Sequence, residues 1–128
     1  QDVGGLLSIA QQVVDGEIAA KKGDYDMALY HLGRAARMED SLAYNEPPSW
    51  YFPTRHILGA VLLDAGRPIE AEVVYWEDLK HNPENAYSLF GMYQALKAQQ
   101  KDARAEEFLV RYNDMWENSD VKLTSSRF

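Results

Sequence analysis

No cysteine occurs among the 128 residues. Disulfides, thiolate metal sites and a cysteine nucleophile are therefore excluded, while a reducing and an oxidising compartment both remain open. Long apolar runs are missing too. The longest, Ile57 to Leu63, falls far short of the roughly 20 residues that a membrane-spanning helix needs, so a soluble chain without membrane insertion is expected. Basic charge is scarce: 13 Lys and Arg stand against 20 Asp and Glu, for a formal charge of −7. Such a chain repels a phosphate backbone unless its bases gather on one face. Lys21 and Lys22 are the only adjacent basic pair, so nucleic acid is not an expected partner. Strict apolar–polar alternation is absent as well, which argues against half-buried strands. The chain opens on Gln1 and reads as an excised or processed piece; its compartment stays open, with the cytoplasm as the default.

What is present is a globular balance, 46% hydrophobic and 26% charged, in a length suited to one domain. Apolar residues recur three and four apart through Leu6, Leu7, Ile9, Ala10, Val13, Val14, Ile18 and Ala19, the period of a buried helical stripe. Gly23 can end that helix and Asp24 can cap the next, which carries Met27, Ala28, Leu32, Ala35 and Ala36 inward. After Met38 the pattern breaks, and Asn45, Pro47, Pro48 and Pro53 predict a loop. A third helix is expected from about Thr54 to Gly66 and a fourth from Pro68, favourable at a first helical position. His81, Asn82 and Pro83 stop the fourth helix. A fifth carries Tyr87, Phe90, Tyr93 and Leu96; a sixth, from about Asp102, carries Ala105, Phe108, Leu109, Tyr112 and Trp116. The expected class is all-α, with residues 1–118 as one domain and 119–128 as a polar tail.

The helix pairs repeat. Gly23 to Ala28, Gly66 to Ala71 and Gln100 to Ala105 are each a turn followed five places on by a small residue. Ala71 and Ala105 are 34 residues apart; Ala28 and Ala71 are 43 apart, and the excess falls in the proline-rich stretch. Leu58-Gly59, Gly66, Ala71, Tyr75 and Pro83 then resemble the tetratricopeptide repeat at its own spacing. The first copy matches through Gly16, Gly23, Tyr25, Ala28, Leu32 and Ala35, with Asp40 in place of the closing proline. The third matches through Ala105 and Leu109, with Tyr93 at the small-residue position and Gln100 for the turn glycine. Glu46-Pro-Pro-Ser-Trp50-Tyr51-Phe-Pro53-Thr-Arg55, together with Glu70, Glu72, Asp78-Leu79 and Asn82-Pro83-Glu-Asn85, is similar to the closing segment of large bacterial proteins of this family. Trp76 and Ala86-Tyr87 depart from that pattern. The resemblance implies an α-solenoid of three helix-turn-helix hairpins in a right-handed superhelix. Its repeats would fall at about 9–42, 52–85 and 86–118, with a proline-rich insertion at 43–52.

Inner helices of such arrays line a concave groove. Here it would present Val13, Glu17, Ala20, His56, Ala60, Leu63, Tyr87, Phe90, Gln94 and Lys97. Val13, Leu63 and Phe90 fit packing between repeats equally well. Lys97 is the only base in this set and Glu17 stands where a second would be wanted. The groove therefore suits a protein segment with apolar anchors and some basic residues better than a free carboxylate terminus. Trp50 and Tyr51 either anchor a partner or, more in keeping with three nearby prolines, plug the gap left by the long connection. Trp76 belongs either to an exposed patch or to packing against the loop.

His31, His56 and His81 and the acidic pairs Glu39-Asp40, Glu77-Asp78 and Glu106-Glu107 show no metal-ligand or catalytic spacing. No active site, metal or cofactor is expected. The first functional expectation is a protein-interaction module. The alternative is a self-associating homodimer, and the third is an enzyme centred on His56, which a bound metal or a displaced His56 pKa would favour.

Overall fold

The computed structural model describes residues 3–45, 54–83, 85–115 and 117. Six helices make up the described residues, with no strand among them: α1 (Val3–Lys21), α2 (Tyr25–Asn45), α3 (Thr54–Asp64), α4 (Pro68–His81), α5 (Ala86–Ala98) and α6 (Asp102–Met115). They divide into two compact units, Gln1–Thr54 and Arg55–Phe128.

In the first unit α1 and α2 pack against each other and run antiparallel. Gln12 meets His31, and Gly16 lies against Leu32, where an added Cβ would stand 2.6 Å from Leu32 Cγ. Asp24 caps α2 as its position predicts: its carboxylate accepts from the Met27 amide at 3.2 Å.

Two details of this unit differ from the sequence reading. Leu6, Ile9, Gly16 and Ala20 are buried, but Leu7, Val14 and Ile18 are 66%, 51% and 47% exposed, and Met27 is exposed as well. The apolar residues of α1 wrap round more of the helix than the face they can bury, so the period alone did not say which would be covered. Helix α2 also continues past Met38 to Asn45. The run Glu39-Asp-Ser-Leu-Ala contains no breaker, and the first proline comes only at position 47.

In the second unit α4 packs on α5 and α5 on α6. Tyr75 of α4, fully buried, occupies space that Gly59 of α3 and Gly91 of α5 leave open; a Cβ on either glycine would overlap its ring. The polar seam beside it joins α4 to the start of α5. Asp78, buried, accepts from the Ser88 hydroxyl and, at 3.0 Å, from the Asn85 amide. Asn85 Oδ1 in turn accepts from the amides of Tyr87 and Ser88, capping α5. Arg67 and Glu70 form a forked pair at 2.7 Å in the first turn of α4.

Three turns share one geometry. Gly23, Gly66 and Gln100 have φ of 79°, 76° and 61°. Behind each, the next amide reaches back to close the helix: Asp24 to the Ala19 carbonyl, Arg67 to Leu62 and Lys101 to Leu96, at 2.9, 2.8 and 2.9 Å. The following helix starts with the amides of Ala28, Ala71 and Ala105 donating to the carbonyls of Asp24, Arg67 and Lys101. All three alanines are fully buried.

Candidate functional site

Helix α5 presents two faces of different character. Ala86, Ser88, Leu89, Gly91, Met92, Ala95 and Leu96 are buried, which leaves Tyr87, Phe90, Gln94 and Lys97, three or four residues apart, along one partly open face. Asn85 fixes where this face begins by capping the helix.

Each side chain on the face is held. Tyr87 stacks on His56 of α3, with ring centroids 4.7 Å apart and planes 19° from parallel. Phe90 packs against Tyr93 at 5.7 Å and against Tyr112 of α6 at 5.0 Å, so it serves the α5–α6 contact as well as the surface. Gln94 is half-buried, and Lys97 is exposed and 3.4 Å from Asp102. Leu63, also half-buried, lies on α3. The strip runs from rings through an amide to a neutralised cation, a surface for apolar anchors and backbone hydrogen bonds.

His56 and Ala60 are buried and offer a ligand little surface. Val13 and Glu17 are half-buried and Ala20 is buried, all on α1 in the first unit. Trp76 is exposed on α4, in one stripe with Ile69 and Val73. Trp50 and Tyr51, like Trp116 and the tail, lie outside the described residues.

The histidines are dispersed. His31 Nδ1 is 2.7 Å from Gln12 Oε1, and His81 is exposed at the end of α4. Burial pushes the His56 imidazole down to about 4, because an apolar surrounding penalises the charged ring. The displacement thus comes from packing, and a neutral ring only 2% exposed is poorly placed to exchange protons with a substrate. Among the described residues no group of three His, Asp or Glu could hold a metal ion, and no helix is long and apolar enough to cross a membrane.

Two polar clusters escaped the sequence reading. One is the Asp78–Asn85–Ser88 seam. The other is Glu72 of α4, which accepts from the Gln99 side chain at 2.8 Å and meets Lys101 and Arg104 at 3.5 and 3.4 Å. Burial would raise this carboxyl, but the Gln99 amide and the two cations outweigh it and hold the group below its ordinary range. The signal in the sequence was slight: donors 27, 29 and 32 residues away become neighbours only after α4, α5 and α6 have packed.

The chain matches no family model, no curated protein and no solved structure.

Proposed function

We propose that the chain is a protein-interaction module of the tetratricopeptide kind: three helical hairpins stacked as a right-handed solenoid, holding a peptide or helix along its inner helices. The observation that carries this reading is the threefold turn. Gly23, Gly66 and Gln100 share the same left-handed backbone, the same closing hydrogen bonds and the same buried alanine five places on. Further support comes from Gly16 against Leu32 and Gly59 against Tyr75, the same close contact at equivalent places in two copies. In a repeat array each unit covers its neighbour's core face and leaves inner helices to a partner.

Within that reading α5 supplies the contact strip through Tyr87, Phe90, Gln94 and Lys97, and half-buried Leu63 of α3 is a further candidate. Catalysis has no part in the proposal: His56 is packed, and among the described residues His31 meets the Gln12 amide rather than a carboxylate. Selection from a displayed peptide library against the full chain tests the idea. Peptides should be enriched whose binding falls at least tenfold in Lys97→Glu or Tyr87→Ala, while an exposed outer change such as Ile69→Ser leaves it unaltered. Failure to enrich any peptide, or enrichment insensitive to both strip variants, would contradict the proposal.

A further inference from the structure

Helix α2 turns Ala28, Leu32, Ala35 and Ala36 inward and leaves Met27, Tyr30, Arg34 and Arg37 in a stripe on its outer side, spaced three, four and three residues apart. Met27 is 43% and Tyr30 50% exposed, and both arginines are exposed. The Tyr30 hydroxyl accepts from Arg34 Nη1 at 3.0 Å, and the guanidinium carbon lies 5.7 Å from the ring centroid. The same ring packs edge-on against His31, which Gln12 of α1 holds in turn. The aromatic anchor and its cation are thus in place before a partner arrives, which lowers the ordering cost of binding.

Among the described residues neither Arg34 nor Arg37 meets a carboxylate, whereas in the second unit Arg67 pairs with Glu70, Lys80 with Glu77, Lys97 with Asp102, and Lys101 and Arg104 with Glu72. Helix α6 carries the complementary surface. Its inner face is Ala105, Phe108 and Tyr112, and its outer face is Ala103, Glu106, Glu107, Val110 and Asp114, all exposed. None of those three carboxylates forms an ion pair among the described residues.

We propose that the outer face of α2 docks a second copy of this chain through the outer face of that copy's α6. With the two helices antiparallel, Val110 would lie over Met27 and Tyr30, and Glu106 and Glu107 would reach Arg34 and Arg37. Two helical stripes of like spacing can interdigitate along their length, and a planar guanidinium can take a carboxylate through two parallel hydrogen bonds. The contact is between unlike faces, so two copies close on each other or add head to tail.

The test is sedimentation of the full chain at about 0.1 M ionic strength, where charges more than roughly 10 Å apart are screened. The mass average should climb above 14.6 kDa as the concentration approaches about 1 mM, the range of a weak contact. Levelling at twice that mass and a continued climb both support the proposal. Arg34→Glu with Arg37→Glu should abolish the rise, as should Glu106→Lys with Glu107→Lys in a separate chain. An equimolar mixture of the two should restore it, although both variants remain net acidic. Circular dichroism checks that each keeps its helices; should either fail, Arg34→Gln with Arg37→Gln should at least reduce the rise. A wild-type mass constant at 14.6 kDa, or a rise that folded charge variants do not lower, or a mixture that stays monomeric, overturns the proposal.

Discussion

Gln100 holds φ at 61° with a full side chain, where the two equivalent turns use glycine. A left-handed backbone costs an ordinary residue roughly 1–2 kcal/mol, and glycine's extra freedom in the unfolded chain gives back about 0.4–1 kcal/mol of any gain from removing that strain. Gln100→Gly should therefore stabilise the protein by about 0.5–1 kcal/mol, a rise of a few degrees in thermal unfolding. An unchanged or lower midpoint would mean that the turn is not strained. His56 sets a second expectation at this scale. Its folded pKa, about 4, lies below the ordinary 6.5, so between these values the unfolded chain binds a proton that the native chain refuses. Stability from this group is whole above about pH 6.5 and is lost as pH falls towards 4. Urea unfolding should show a decrease of about 2 kcal/mol between pH 7 and pH 5, and His56→Phe should flatten most of that slope. A slope that persists in the variant would assign it to other groups.

At the scale of the elements, Asp78 joins α4 to α5. Asp78→Ala would leave the buried Ser88 hydroxyl and the Asn85 amide without their shared acceptor, a loss of about 2–3 kcal/mol. Hydrogen exchange should accelerate first at the start of α5. A loss below about 0.5 kcal/mol, the size of an ordinary surface change, would show that the seam contributes little. The six helices themselves were legible in the sequence, because Gly23, Gly66 and Pro68 and the cap at Asp24 punctuate apolar runs of helical period. Burial on α1 was not, since Leu7, Val14 and Ile18 satisfy the same period as Leu6 and Ile9. The extension of α2 to Asn45 is not legible, because Glu39 to Asn45 tolerate a helix but lie beside the prolines that begin at position 47. Gln100 shows the converse: its backbone follows the shared turn chemistry although its side chain departs from it.

For the whole molecule, the all-helical class read from the sequence holds among the described residues; of the expected repeat the structure shows three turns with like backbone angles and closing hydrogen bonds, one in the first unit and two in the second. The candidate groove was legible only in part. Tyr87, Phe90, Gln94 and Lys97 do share one face of α5, as their spacing requires. His56 and Ala60 were assigned to the surface by position on α3, and their burial depends on packing between helices that no single-helix period reveals. A contact between distant residues, Phe90 with Tyr112 of α6, covers part of the strip and shows in no single helix's period. Nuclear magnetic resonance of the labelled full chain, titrated with a peptide selected against it, tests the interaction reading most directly. The expected result is saturable amide shifts concentrated at Leu63, Tyr87, Phe90, Gln94 and Lys97; shifts confined to other surfaces, or none at all, would contradict it.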